Sequence, residues 1–469
     1  MTARPSRPAH PNSSRGRPTA QLRRRAVAVT VGALLALPVG GLAQAPAGAA
    51  PLSTAAGASV AAGATGTTVS ANHAQLAQVG VAAASADPVR LSTALQATIA
   101  RQLAGGARSQ YLAGLSGYVV DTATGEVVWS RSPDRTRMPA STQKVITAFV
   151  TLRSLHPQAQ IITKTVQSQA NPGNVYVVGG GDPTLTRARI NALAAQTAAA
   201  LQAQGRTSVN LYLDDTVFPR PTLATGWKSS YLRGDVQQVR GLTLRSYRGA
   251  DGTLAAGAAF RSELTKRGVA VGNYGRGTAP GSDELARTAS ASITAIMSVM
   301  LNNSDNDYAE YLLRLSALRA GEAPTWNGSL RHARSVLAAN GIPLTGYAAY
   351  DGSGLSRSNR MPVRTLVQTL TAMYQDPQDR ALVFRRGALP ISGQTGTLRT
   401  RYHSSVQRCA VGKVNAKTGT LGDVVALAGV AHGADGRDRI FAFLENGNRR
   451  TAAVRNAVDT LATSTVGCR

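Results

Sequence analysis

Ser141 and Lys144 stand three residues apart in the run Ser141-Thr142-Gln143-Lys144, a pairing suited to a nucleophile and its base. A serine hydroxyl attacks poorly until a neighbouring group takes its proton, and a lysine can take it only as the neutral amine. Burial or a nearby cation depresses a lysine by several pH units, whereas an arginine stays charged. The chain has six lysines among 51 basic residues, and only Lys144 follows a serine at this spacing. Two more short motifs follow in order, Ser304-Asp305-Asn306 and Lys417-Thr418-Gly419-Thr420. The middle one is the least specific, because Ser-x-Asn recurs at Ser70-Ala71-Asn72 and Ser208-Val209-Asn210. Singly, Ser141 reads as a helix cap, and Ser304 and Lys417 as solvated surface groups. It is their order that makes them a candidate site.

The elements around these residues decide whether they can meet. Pro139 is tolerated at a helix start, and Val145, Ile146, Phe149, Val150 and Leu152 recur at helical spacing, so a helix is predicted from Pro139 to about Leu155. Ser141 then sits at its N-terminal end, with Lys144 one turn along on the same face. Upstream, a helix is expected from Asp87-Pro88 to about Leu103, followed by a hairpin turning at Gly125. Residues 158–282 carry strand runs at 161–166, 175–178 and 209–213 and one Ala-rich helix near 186–204, and read as an inserted domain. Helical signals return over 289–319, 329–340 and 363–374, then strands over 414–417, 424–431 and 440–444, then a closing helix from 451 to 461. The fold class is α/β (α+β). Strands from both ends of the chain share one sheet, with an all-helical part packed on it. The main domain is discontinuous, 87–157 and 283–469, around a smaller β-rich insert.

The chain has 469 residues, 43% of them hydrophobic, enough to bury real cores. Its formal charge is +27; the first 49 residues hold seven arginines and no acid, and taking seven from 27 leaves +20 on the rest. Such an excess suits an anionic polymer or membrane surface. No basic run is interleaved with aromatics, which are only 5% of the chain, so no nucleic-acid partner is expected. Arg23-Arg24-Arg25, the apolar stretch from Ala26 to about Leu42 and the small residues Ala43 to Ala49 form a secretory signal over 1–49. An uncleaved anchor is the alternative; on either reading the body is exported. Residues 50–86 are a low-complexity spacer too poor in large apolar groups to bury a core. Cys409 and Cys468 are the only cysteines, and in an exported protein a pair favours one disulfide, worth about 4 kcal/mol for a loop of roughly 60 residues. No Cys/His cluster points to a metal.

The three motifs together match the set of the penicillin-recognising serine enzymes. The wider wording resembles the low-molecular-mass penicillin-binding D-alanyl-D-alanine carboxypeptidase/endopeptidase family, in the branch with an insert between its first two motifs. The resemblance runs from about Gly117 to the end and rests on Pro139 to Lys144, Gly179-Gly-Gly-Asp-Pro-Thr-Leu185, Ser304-Asp-Asn-Asp-Tyr-Ala-Glu310, Asp351-Gly-Ser-Gly-Leu-Ser-Arg357 and Ala416-Lys-Thr-Gly-Thr-Leu421. It implies the serine transpeptidase/β-lactamase-like fold and an acyl-enzyme at Ser141, formed by peptidoglycan peptides and by β-lactams and hydrolysed by water. Lys144 would be the base, and Ser304 a proton relay to the departing D-alanine. Asn306 would bind the substrate amide. Lys417 would depress Lys144 and attract the terminal carboxylate, which the Thr418 and Thr420 hydroxyls bind. The N–H groups of Ser141 and Thr420, the latter following Gly419, would form the oxyanion hole. No metal or organic cofactor and no specific protein partner is implied. The 163 residues from Ser141 to Ser304 are fewer than in the family's longest members, so part of their insert is expected to be absent or reduced.

Several features have plainer readings. Gly179 to Pro183 lacks the Gly-Lys-Ser/Thr ending of a phosphate loop and reads as a tight turn. Gln394-Thr395-Gly396-Thr397-Leu398 repeats the third motif without its lysine and reads as a loop near the site. Asp351 to Gly354 does not fit a nucleophile elbow; it reads as a loop bordering the cleft, with Ser353 and Arg357 as candidate substrate contacts. Two other functions use the same residues: a β-lactamase or esterase on this scaffold, and a non-catalytic wall-binding scaffold. The first lacks a class A-like Glu motif between Ser304 and Lys417, and the intact Ser141, Lys144, Ser304 and Lys417 argue against the second.

Overall fold

Apolar residues run almost unbroken from Val424 to Ala431, and both faces of that strand are covered. The computed structural model describes residues 93–385, 387–449 and 451–468. The expected signal, the spacer and the cap at Asp87-Pro88 lie outside these residues. Ten strands follow in chain order: β1 (Leu115–Asp121), β2 (Val127–Arg131), β3 (Gln160–Ser168), β4 (Asn174–Gly179), β5 (Ser208–Asp214), β6 (Ala270–Arg276), β7 (Ser282–Ser292), β8 (Val414–Leu421), β9 (Val424–His432) and β10 (Asp438–Asn446). They form two five-stranded sheets, ordered β2-β1-β10-β9-β8 and β6-β5-β4-β3-β7.

The first sheet is antiparallel throughout, and it joins the beginning of the described chain to its end through seven paired positions from Leu115↔Glu445 to Asp121↔Arg439. Alternation along β9 explains its composition. Val425, Leu427 and Ala431 pack against the helices Thr93–Gly106 and Ala452–Val466, through Ile99, Leu103, Val458 and Leu461. Ala426, Ala428 and Val430 face the all-helical part, through Phe149, Met297, Leu312 and Leu366. A strand buried on both sides has no polar face, so its period-2 signal vanishes and only the apolar run remains.

The second sheet is mixed: β4, β5 and β6 are parallel, while β3 pairs antiparallel with β4 and β7. Parallel neighbours need crossovers. Helices Arg187–Ala203 and Gly252–Lys266 supply them, and share a core with the sheet through Val175, Leu211, Leu193 and Phe260. Residues 158–282 hold the helix Gly252–Lys266 and the single turn Tyr231–Gly234 beyond the one helix the sequence suggests, and β7 continues to Ser292, past the expected boundary at 282.

Candidate active site

The helix that carries the nucleophile begins differently from the sequence expectation. A single 3-10 turn, Ala140–Thr142, precedes the α-helix Gln143–Ser154, so Ser141 lies in that turn rather than in the helix itself. The carbonyl of Pro139 accepts from the Thr142 N–H (3.3 Å) and hydroxyl (2.7 Å) and holds the turn closed. Ala140 is buried with φ of 47°, a left-handed conformation that a non-glycine residue adopts at a cost of about 1–3 kcal/mol. Two glycines hold it there. A Cβ on Gly354 (φ +85°) would lie 1.8 Å from the Ala140 carbonyl oxygen, and one on Gly419 would lie 2.7 Å from that of Pro139. The Asp351 loop and strand β8 can therefore press on the turn from two directions.

Lys144 is fully buried and donates from Nζ to three acceptors: Ser141 Oγ at 3.0 Å, Asn306 Oδ1 at 2.7 Å and the Ser353 carbonyl at 2.6 Å. Burial is the main influence on its acidity and brings the ammonium down to about 8, against the opposing pull of Asp351, Glu310, Asp305 and Asp307. Lys417 is also fully buried and donates to the Thr418 carbonyl at 2.9 Å; burial first, then the charge of Lys144, pushes it well below an ordinary lysine. Of the two causes expected for Lys144, burial and a neighbouring cation, burial is the main one.

Ser304 interrupts what reads in sequence as one helical stretch. Strand β7 ends at Ser292, helix Ile293–Asn303 follows, and Ser304 (φ 61°, ψ 37°) breaks the chain before helix Asn306–Arg319. The next helix is capped by Asp305, whose Oδ1 accepts from the Tyr308 N–H at 3.0 Å. Ser304 thus reaches the same cavity as Ser141, about 630 Å³ in volume, which Thr418 and Thr420 of β8 also line. Strand β8 is the edge of its sheet, which leaves one side of Lys417–Thr420 facing away from β9. Lys417 itself does not line the cavity. Asn306 is held at both ends, accepting from Lys144 and donating from Nδ2 to the Asp235 carbonyl at 2.9 Å.

The loop after Asp351 is the part that sequence reasoning undervalued. Asp351, fully buried, accepts from Trp227 Nε1 (2.8 Å), the N–H groups of Gly354 (2.9 Å) and Ser356 (2.6 Å), and Asn359 Nδ2 (2.7 Å). Glu310, equally buried, takes the N–H groups of Gly352 (3.0 Å) and Ser353 (2.7 Å) on its two oxygens. Burial and the neighbouring Asp351 push the Glu310 carboxyl up to about 7. These two acids hold the Ser353 carbonyl against Lys144. Ser353 acts here through its backbone, its side chain being buried, and Arg357 is paired bidentately with Asp423 at 2.8 Å on each arm. A carboxylate set among Ala309, Tyr311, Leu312 and Leu313 was the signal that could have marked Glu310 as buried. The near-copy of the third motif also lies at the site: Thr397 lines the cavity, and its hydroxyl is 2.8 Å from that of Thr418. The expected disulfide joins Cys409 to Cys468.

The chain is similar in sequence and fold to known proteins. The family model described as the D-Ala-D-Ala carboxypeptidase 3 (S13) family matches residues 95–246 and 229–465. The chain is 33% identical over 380 residues to a carboxypeptidase of Mycobacterium tuberculosis, covering 76% of this chain and 80% of that one. It is 31% identical over 409 residues to carboxypeptidase DacB of Mycolicibacterium smegmatis, covering 81% and 87%. In three dimensions it resembles penicillin binding protein 4 of Haemophilus influenzae, with a TM-score of 0.64 and 21% identity over 77% of this chain and 97% of that one.

Proposed function

This chain belongs to the D-Ala-D-Ala carboxypeptidase 3 (S13) family, and from that membership we propose that it is a serine D-alanyl-D-alanine carboxypeptidase/endopeptidase of peptidoglycan peptides, acylated at Ser141. The observation that carries the site assignment is the 3.0 Å contact between Lys144 Nζ and Ser141 Oγ, made by an amine that burial has brought to about 8. Neutral Lys144 takes the hydroxyl proton as Ser141 attacks the carbonyl of the penultimate D-alanine. The N–H groups of Ser141 and Thr420 receive the developing oxyanion, an interaction typically worth about 3–4 kcal/mol per donor; the close approach that Gly419 permits between β8 and the nucleophile turn supports this pairing. Ser304 passes a proton to the leaving amine, and the Thr418 and Thr420 hydroxyls bind its carboxylate, with Lys417 buried behind them. The second N–H of the Asn306 amide is left for the substrate carbonyl on the acyl side. Water then frees the acyl-enzyme, and β-lactams acylate the same serine.

A β-lactamase reading requires a dedicated general base able to activate water rapidly. Asp351 and Glu310 are the two acids that act most on Lys144, and both oxygens of each are occupied, those of Glu310 by the Asp351 loop and those of Asp351 by Trp227, Gly354, Ser356 and Asn359. Export through the signal at 1–49, a main domain of 87–157 with 283–469 around the insert, and attraction of the basic body to anionic wall polymers complete the reading. The test is to incubate the protein with a labelled penicillin and with a diacyl-D-alanyl-D-alanine peptide, beside Ser141→Ala. A long-lived label and D-alanine release, both lost in the variant, are expected. Rapid penicillin turnover would indicate a β-lactamase, and an unaffected Ser141→Ala would refute the nucleophile.

A further inference from the structure

A loop from a strand to its crossover helix ordinarily takes roughly 2–6 residues. The one between β5 and the helix Gly252–Lys266 takes residues 215–251 and holds only the single helical turn Tyr231–Gly234. Connections so long and so poor in structure of their own are uncommon and mostly functional. This one leaves its sheet and reaches the loops around Lys144. Asn306 Nδ2 donates to the Asp235 carbonyl at 2.9 Å, and the Gln237 N–H donates to Asp307 Oδ1 at 2.7 Å. Ser356 Oγ donates to the Thr225 carbonyl at 2.6 Å, and Trp227 Nε1 donates to Asp351 Oδ2 at 2.8 Å. Gly226 (φ +83°) permits the approach, since a Cβ there would lie 2.6 Å from Ser356 Oγ and 2.7 Å from Ser358 Oγ.

A chain of hydrogen bonds joins Trp227 to the base. The Ser353 carbonyl that accepts from Lys144 Nζ at 2.6 Å and the Gly354 N–H that donates to Asp351 Oδ1 at 2.9 Å belong to one peptide unit. That unit is planar, so the carboxylate that fixes its N–H end also fixes where its carbonyl points. Asp351 takes its other bonds from Asn359 Nδ2, the Ser356 N–H and Trp227 Nε1. Gly354, Ser356 and Asn359 lie in the same loop as Asp351 and would move with it, whereas Trp227 ties the carboxylate to a different part of the fold. Two of the three acceptors of Lys144, Asn306 Oδ1 and the Ser353 carbonyl, are thus braced from residues 227–235. Trp227 is buried and does not line the Ser141 cavity, so its effect falls on the base and not on the substrate. Its ring also meets Trp326 edge to face at 5.3 Å, but Trp326 Nε1 donates to Thr222 Oγ1 at 3.1 Å and not to the Asp351 loop.

We infer that the connection 215–251 is a brace that the insert lends to the catalytic base, and that Trp227 is its positioning residue, acting on Lys144 through Asp351 and the Ser353–Gly354 peptide. The inference rests on the assignment of Lys144 as the base of Ser141. It gives the insert a part in acylation that requires no contact with the substrate.

Three variants of the full chain test it, each followed by thermal melting and by the acylation rate at saturating labelled penicillin between about pH 6 and 10. Trp227→Phe keeps the stacked ring and loses the N–H. Gly226→Ala pushes the connection off Ser356 and Ser358 from an exposed position, and decides alone should Trp227→Phe fail to fold. Trp326→Phe alters the same ring pair and leaves the bond to Asp351 in place. None of the charged groups around Lys144, which are Asp351, Glu310, Asp305, Asp307 and Lys417, is removed. The first two variants should acylate roughly tenfold more slowly, the value of one charge-assisted hydrogen bond. The acid limb of their pH profiles should also move to lower pH, because the Lys144 ammonium loses an acceptor that favours its charged form. Trp326→Phe should acylate as the native protein does. Rates within about threefold of native in Trp227→Phe and Gly226→Ala overturn the brace. A slower rate with the acid limb unmoved overturns it too, since loosened packing alone would give that result, and so does an equal loss in Trp326→Phe. Failure of penicillin to acylate the native protein would instead refute the proposed function beneath it.

Discussion

Replacing Lys144 with arginine keeps a cation at the site and removes its capacity to become neutral, which separates the base from the mere charge. Burial brings Lys144 to about 8 in the native protein. About a tenth of the amine is then neutral at pH 7 and about nine tenths at pH 9, so acylation of Ser141 should quicken roughly tenfold over that interval. For arginine the neutral fraction at pH 7 is smaller by more than about four orders of magnitude, which removes the whole contribution of a general base, roughly 10²–10⁴-fold. The assay is the rate of acylation by a fluorescent penicillin between about pH 6 and 10, for native protein and Lys144→Arg, with thermal melts of both to confirm folding. A native rate that is flat from about pH 7 to 9, or a variant acylated within about tenfold of native, refutes the base assignment. The same group links pH to stability. Its folded value lies below its unfolded one, so the folded state holds fewer protons between them and gains stability as pH rises from about 8 towards 10.5. The full difference is worth roughly 3 kcal/mol, to be seen as a rising urea midpoint across that window.

Three further perturbations address the frame around the site. Gly354→Ala should cut penicillin acylation more than about tenfold and lower the melting temperature, because the new Cβ would meet the Ala140 carbonyl at 1.8 Å; acylation at the native rate would show that the loop does not brace the nucleophile turn. Glu310→Gln removes an anion that helps keep Lys144 protonated, and the acid limb of the acylation profile should move to lower pH while the rate falls from loss of one loop acceptor. An unmoved limb would exclude electrostatic coupling between the two. Cys409→Ser should cost about 4 kcal/mol by the chain-entropy argument for its 59-residue separation, measured by denaturant titration, and reductant should reproduce the loss in the native protein.

What could be read from the sequence is what short-range geometry controls. The register of Ser141 and Lys144 follows from one helical turn, and the shared sheet follows from apolar runs at the two ends of the chain. The edge strand β6 was missed because Ala270–Arg276 is mostly exposed or half-buried and carries no apolar alternation. The break at Ser304 was missed because Ile293–Asn303 and Asn306–Arg319 each continue a helical pattern, and only a left-handed residue between them separates the two axes. Tertiary structure alone decided the state of Lys144. Its acceptors come from positions 141, 306 and 353, and its shift towards the neutral amine comes from exclusion of water by elements far apart in the chain. Spacing brings a lysine within reach of a serine; desolvation, which no local pattern encodes, is what turns that lysine into a base.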